Sequence, residues 1–268
     1  MQKSEPAPPL PAENCISVVG DSVAYGTTVY EVPGQGFAIL RLAPLSEVLQ
    51  PALIKRGLGH VQVRDRSASA AFLSDRGKNP YREMPEFAAL LADECRFTLL
   101  MPWINDLSVE GPAPAADHMR DLIRLVGELD SPHLLLLGFY DGQPSEFARQ
   151  HAPGYNTPNL ALFEAAWQAS CADTQAGLGQ FPQVTCQPIA DIFAEADQAH
   201  VALGINQEDL LGLLYEPIPA DVAPFFEVYW RDNPGGLVFG DGVHLSQAGK
   251  NTLVQVIIEA LLALEPDL

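Results

Sequence analysis

Five short strand-like segments, at 16–20, 61–65, 97–101, 133–139 and 184–188, constrain the fold more than any other feature of this chain. Each is bounded by polar or turn-forming residues and is too short for an ordinary helix, the pattern of strands buried on both faces of a parallel sheet. Between them, segments 84–93, 117–129, 160–174 and 247–264 carry apolar residues at three- and four-residue spacing, as helices with one covered face do. Strands alternating with helices predict an α/β chain, its parallel sheet sandwiched between helix layers. The chain has no internal repeat. Its 268 residues, 47% of them hydrophobic, allow one or two domains. A single domain over 15–268 is expected, because polar segments from both ends of the chain answer one another.

Three such segments lie at strand ends. In VVGDSVAYG (18–26) a buried strand runs into Gly20, where the backbone turns sharply, and places Ser22 at the carboxyl edge of the sheet, where ligands of open α/β sheets bind. Asp21 and Ser22 are equally the residues that cap a helix. FGDGVHLSQAGK (239–250) sets Asp241 three residues before His244. A serine hydroxyl attacks poorly until an imidazole takes its proton, and the imidazole needs a carboxylate to hold its tautomer. RFTLLMPWINDLS (96–108) brings Asn105 and Asp106 to a third strand end, where the Asn105 amide can face a developing oxyanion. Each segment alone reads as a turn or a cap; together they supply a nucleophile, Ser22, a base, His244, its orienting carboxylate, Asp241, and oxyanion donors in the Ser22 N–H and Asn105.

Over 15–262 the chain resembles the SGNH (GDSL-type) hydrolase superfamily, whose blocks are an early Gly-Asp-Ser, a glycine loop, Gly-x-Asn-Asp and a late Asp-x-x-His. The first and last blocks match at Ser22, Asp241 and His244. Two depart from the pattern: Trp103 stands where the third block has glycine, and the glycine loop falls on RDRSASAAF (64–72), which has none. Ala70 aligns with the loop glycine. Alanine keeps the N–H donor but is disfavoured at φ > 0, so this third oxyanion donor is expected to be poorly aimed and Asn105 to carry more of the load. The resemblance implies a flavodoxin-like, three-layer α/β/α domain with about five parallel strands in the order 2-1-3-4-5. It also implies ester hydrolysis through an acyl-serine, with no cofactor. Small acyl or aryl esters are the expected substrates. Acetylated sugars, lysophospholipids and thioesters are alternatives, as is a binding module that kept the fold without the activity.

Two longer segments border this region. Residues 29–49 follow the nucleophile directly and are expected to fold over the site; 203–238 form an apolar, aromatic insert containing Phe225, Phe226, Tyr229 and Trp230. The insert either packs onto the core or forms a lid. Tyr229 and Trp230, with Trp103 and Asp21, are the candidate substrate contacts; Trp103 reads equally as core beneath its loop, and Asp21 as the brace of the nucleophile turn.

The charge of −19, from 34 acidic and 15 basic residues, disfavours nucleic acid and anionic membrane surfaces as partners. His60, His118, His133, His151 and His200 have no partner at ligand spacing, and no metal is expected. No run reaches the roughly 18 apolar residues of a membrane span. The start of the chain, 1–14, with Pro6, Pro8, Pro9 and Pro11, reads as an extended tether of the kind that follows a removed signal or lipid anchor, so export stays open. Cys15 and Cys95 are expected to pack as reduced thiols at strand starts, whereas Cys171 and Cys186 flank a glycine-containing loop and would bridge only in an oxidising compartment.

Overall fold

The computed structural model describes residues 13–32, 36–109, 111–140, 152–190, 243–245, 247–266 and 268, together with 214, 217–218, 220, 223 and 224. The tether up to residue 12, most of the 203–238 insert (Tyr229 and Trp230 included) and Asp241 lie outside the described residues.

Five parallel strands form the central sheet: β1 (Glu13–Val19), β4 (Gln62–Asp65), β5 (Cys95–Leu100), β6 (His133–Leu137) and β7 (Val184–Gln187). Their spatial order is β4-β1-β5-β6-β7, which in order along the chain is 2-1-3-4-5. Ile16 is paired with Val63 on one side and Phe97 on the other, and Leu134–Leu137 are all buried, as a central strand covered on both faces requires. Helices α2 (Leu45–Lys55) and α6 (Gln247–Leu264) pack on each other, as do α4 (Pro112–Glu128) and α5 (Thr157–Ala172). The result is a single α/β domain with helices flanking the sheet.

Helix α4 begins five residues before its apolar periodicity does. Pro112 and Pro114 fall in its first turn, where backbone N–H groups have no intrahelical acceptor and a missing donor costs nothing. Residues 29–49 carry regular elements. After a short helix α1 (Ser22–Tyr25), β2 (Thr27–Val32) and β3 (Gly36–Arg41) pair as an antiparallel hairpin, and α2 begins at Leu45. The helix α3 (Pro85–Leu91) leads into β5.

Both cysteine pairs are bridged, which corrects the expectation of free thiols at Cys15 and Cys95. These two residues stand at the amino ends of adjacent strands, Cα atoms 4.8 Å apart, where the β1–β5 register is interrupted between Glu13 and Ile16. Cys171, at the end of α5, joins Cys186 in β7. Closing loops of 80 and 15 residues restricts the unfolded chain by about 4 and 3 kcal/mol in the chain-entropy account. Thiol titration of the denatured, unreduced protein is therefore expected to find no free thiol. A Cys15→Ser/Cys95→Ser variant should lose about 2–5 kcal/mol in denaturant unfolding; one thiol or more per chain in the titration would contradict the pairing.

Candidate active site

The site is assembled where β1, β4 and β5 end. Beyond β1 the chain must turn within one residue of Met101: a Cβ on Gly20 would lie 2.7 Å from the Met101 Cβ, so only glycine fits. Asp21 then caps α1, its Oδ1 accepting the Val23 N–H at 3.1 Å, and Ser22 becomes the first helical residue. In that position the Ser22 N–H has no intrahelical carbonyl to serve and remains an available donor.

His244 arrives from the far end of the sequence. Its Nε2 lies 2.8 Å from Ser22 Oγ, across 222 residues of chain, with both side chains nearly buried. Two anchors bring it there. The Tyr140 hydroxyl, just beyond β6, donates to the Val243 carbonyl at 2.5 Å. Lys250, wholly buried in the first turns of α6, donates from Nζ to the Ala43 carbonyl at 2.6 Å, and burial together with the nearby Arg41 charge pulls its pKa down to about 8. Asp241, the expected partner of His244, lies outside the described residues.

Asn105 reaches the Asp21–Ser22 turn from the short helical turn Ile104–Ser108 that follows β5. Its backbone N–H and its Nδ2 both donate to Asp21 Oδ2, at 3.1 and 3.2 Å, and Nδ2 also donates to the Ala71 carbonyl at 2.9 Å. The carbonyl is an acceptor only, which fixes the amide with Nδ2 toward Ala71 and Oδ1 away from it. Asp106 points the other way, accepting from His118 Nδ1 at 2.6 Å and from the Ser74 N–H, and so braces the loop on α4. His118 is thus a partnered, buried residue, a pairing its distance in sequence from any ligand motif concealed.

Ala70 occupies the left-handed region, φ 57°, alone among the described non-glycine residues. The residue aligned with a glycine has adopted the conformation for which glycine is suited, which overturns the expectation that alanine would keep the backbone out of it. The loop is docked on the sheet by Arg66 N–H to Val18 O and Ala68 N–H to Gly20 O, at 2.8 and 2.9 Å. Ala70 itself is exposed, and its N–H is engaged by no hydrogen bond among the described residues. An L-residue in this region costs about 1–2 kcal/mol.

Two candidate substrate contacts are placed elsewhere. Trp103 is 1% exposed and meets Tyr81 edge-on at 5.6 Å, so its ring is core beneath the Asn105 loop. Asp21 is fully buried and faces backbone and amide N–H groups, so it braces the turn. Burial lifts its carboxyl pKa to about 7 against the opposing pull of the Val23 and Asn105 N–H groups and of His244.

No family profile matches the sequence, and no curated protein is similar to it in sequence. Solved structures match it in fold. A carbohydrate acetylesterase from Sinorhizobium meliloti, Est24, is 14% identical over 93% of this chain and 99% of its own, with a TM-score of 0.57. An aryl esterase from M. smegmatis is 14% identical over the same shares, with a TM-score of 0.56. A lipase/acylhydrolase from Enterococcus faecalis is 14% identical over 93% and 95%, with a TM-score of 0.53. At these identities the likeness is one of fold, shared with structures described as a lipase/acylhydrolase, a carbohydrate acetylesterase, a GDSL-like lipase and an aryl esterase.

Two measurements test the local physics. Ala70→Gly is expected to raise stability by up to about 1 kcal/mol, the released strain less the added chain entropy, read from urea unfolding. For Asp21, the folded pKa near 7 exceeds the unfolded value near 4, so the native state is penalised progressively as pH rises through that window. The stability difference between wild type and Asp21→Asn should therefore move toward the variant from pH 4 to 7 and flatten above; a difference independent of pH would show that folding does not raise the pKa of this carboxyl.

Proposed function

We propose that this chain is a serine carboxylic-ester hydrolase. The observation that carries the reading is the 2.8 Å contact between Ser22 Oγ and His244 Nε2 at the carboxyl edge of the sheet. With the hydroxyl donating, Nε2 is the acceptor and serves as general base. Oγ attacks the ester carbonyl carbon as its proton passes to His244, and the carbonyl oxygen becomes an oxyanion. As the tetrahedral species collapses, the carbon–alkoxide bond breaks and the imidazolium returns the proton to the departing alcohol. A water molecule deprotonated by His244 then attacks the acyl-serine, and collapse restores Ser22 and frees the acid.

Asp241 is assigned the role of holding His244 Nδ1 and stabilising its charge. The oxyanion is assigned to the Ser22 N–H, the Ala70 N–H and the Asn105 amide. Both Nδ2 hydrogens of Asn105 already have acceptors, so it contributes by sharing one of them, and the two unshared donors are the backbone ones. This reverses the order of importance expected from the alanine at position 70. Small acyl and aryl esters are proposed as substrates, a choice the aromatic insert at 203–238 favours; the Sinorhizobium fold relative adds acetylated carbohydrates as the second class to assay. Two disulfides fit a protein that works in an oxidising compartment.

A fluorophosphonate probe is expected to label Ser22 covalently, located by peptide mass spectrometry. Ser22→Ala and His244→Ala should each abolish nearly all hydrolysis of p-nitrophenyl acetate while keeping the wild-type circular dichroism. Because only neutral imidazole accepts the serine proton, the wild-type rate should climb with pH through an apparent pKa of about 6–7. Near-wild-type turnover in a folded Ser22→Ala protein would remove the nucleophile from the reading.

A further inference from the structure

The Asn105 amide has a third anchor that the sequence motifs do not contain. The Tyr155 hydroxyl donates to Asn105 Oδ1 at 3.2 Å, on the side of the amide opposite the Ala71 carbonyl. Tyr155 lies just ahead of α5, 50 residues from Asn105, and the chain around it is pressed against the loop that carries the amide. A Cβ on Gly154 would lie 1.9 Å from the Leu107 carbonyl oxygen, so the two backbones touch there.

The clamp between these segments is Asn159, a buried side chain in the first turn of α5. Its Nδ2 donates to the carbonyls of Leu107, Val109 and Gly154, at 3.0, 3.3 and 2.9 Å, and its Oδ1 accepts the Gly111 N–H at 3.1 Å. One amide therefore ties the chain just after Asn105, at Leu107, Val109 and Gly111, to the segment bearing Tyr155.

Resting on the hydrolase reading above, we propose that Tyr155 is a positioning residue for the oxyanion amide. Its hydroxyl fixes the rotation of the Asn105 side chain so that Nδ2 stays toward Asp21 and Ala71, where it is shared with the developing oxyanion. Without it, Asn105 keeps its two acceptors but loses the contact that opposes tilting of the amide plane. The effect belongs to the transition state, where the oxyanion exists, and not to substrate binding. Tyr155 touches no reacting atom in this scheme.

Tyr155→Phe removes the hydroxyl and keeps the ring. With p-nitrophenyl acetate, kcat is expected to fall about tenfold while KM stays within about twofold, the loss of one hydrogen bond expressed only in the transition state. A merely structural role would not be confined to kcat, nor would it depend on Asn105. In the Asn105→Ala background, itself expected to lose about 10²-fold in kcat, Tyr155→Phe should cost nothing further. Unchanged kcat in folded Tyr155→Phe, a rise in KM alone, or a full tenfold loss on top of Asn105→Ala would each overturn the proposal. Should Tyr155→Phe not fold, 3-fluorotyrosine at position 155, which retains the ring and strengthens the donor, is expected to alter kcat at constant KM, and an unaltered kcat would overturn it. Fluorophosphonate labelling of the wild type separates the two levels of inference. An unlabelled, inactive wild type overturns the hydrolase reading together with this one; a labelled wild type with an indifferent Tyr155→Phe overturns this one alone.

Discussion

Much of the site hangs on one buried carboxylate. Asp21 gathers three N–H groups, from Val23 on its own turn and from the backbone and side chain of Asn105 at the end of the neighbouring strand. Removing a carboxyl from water is unfavourable, and the upward displacement of its pKa measures that cost. What the cost secures is geometry: the end of β1, which carries Ser22, and the end of β5, which carries Asn105, are bound through a single group. His244 and Ala70 are then added to a frame already made, one from the segment just ahead of the carboxyl-terminal helix and one from the loop beyond β4.

The sheet was legible because its strands are short, the central ones apolar on both faces, and alternate with helices, a pattern with few topological solutions. The strand order came with the resemblance; Ser22 and Asn105 stand just beyond β1 and β5, where polar residues followed apolar runs in the sequence, and His244 meets Ser22. Other features were hidden for identifiable reasons. Trp103 and Asp21 were near the site in sequence, but proximity says nothing of direction; one ring turns into the core and one carboxylate into backbone donors. His118 and Asp106 meet because α4 runs back beneath the Asn105 loop, a tertiary fact without periodicity. Tyr155 and Asn159 belong to a segment with no motif at all. The strain at Ala70 is the case where a local rule failed because tertiary docking of the 64–72 loop outweighed the preference of one residue.

The Cys15–Cys95 bridge shows a signal that was present and unread. In a sheet of order 2-1-3-4-5 the first and third strands are neighbours, and both cysteines stand at strand starts, so the expected topology alone puts them side by side. The bridge joins the amino ends of β1 and β5, and Asp21 joins the same two strands beyond their carboxyl ends. This pair of strands is thereby fastened at both extremities, one link covalent and structural, the other polar and within the site.

The pairing also bears on how the protein is made. Cysteines joined in the order first with second and third with fourth are consecutive along the chain. A polypeptide threaded amino end first into an oxidising space meets each correct partner before any competitor has emerged: Cys95 is the first thiol available to Cys15, and that bridge can close before Cys171 appears. Domains acquire their structure in this order during synthesis. Nothing in the connectivity requires a wrong bridge to be opened on the way to the native pairs.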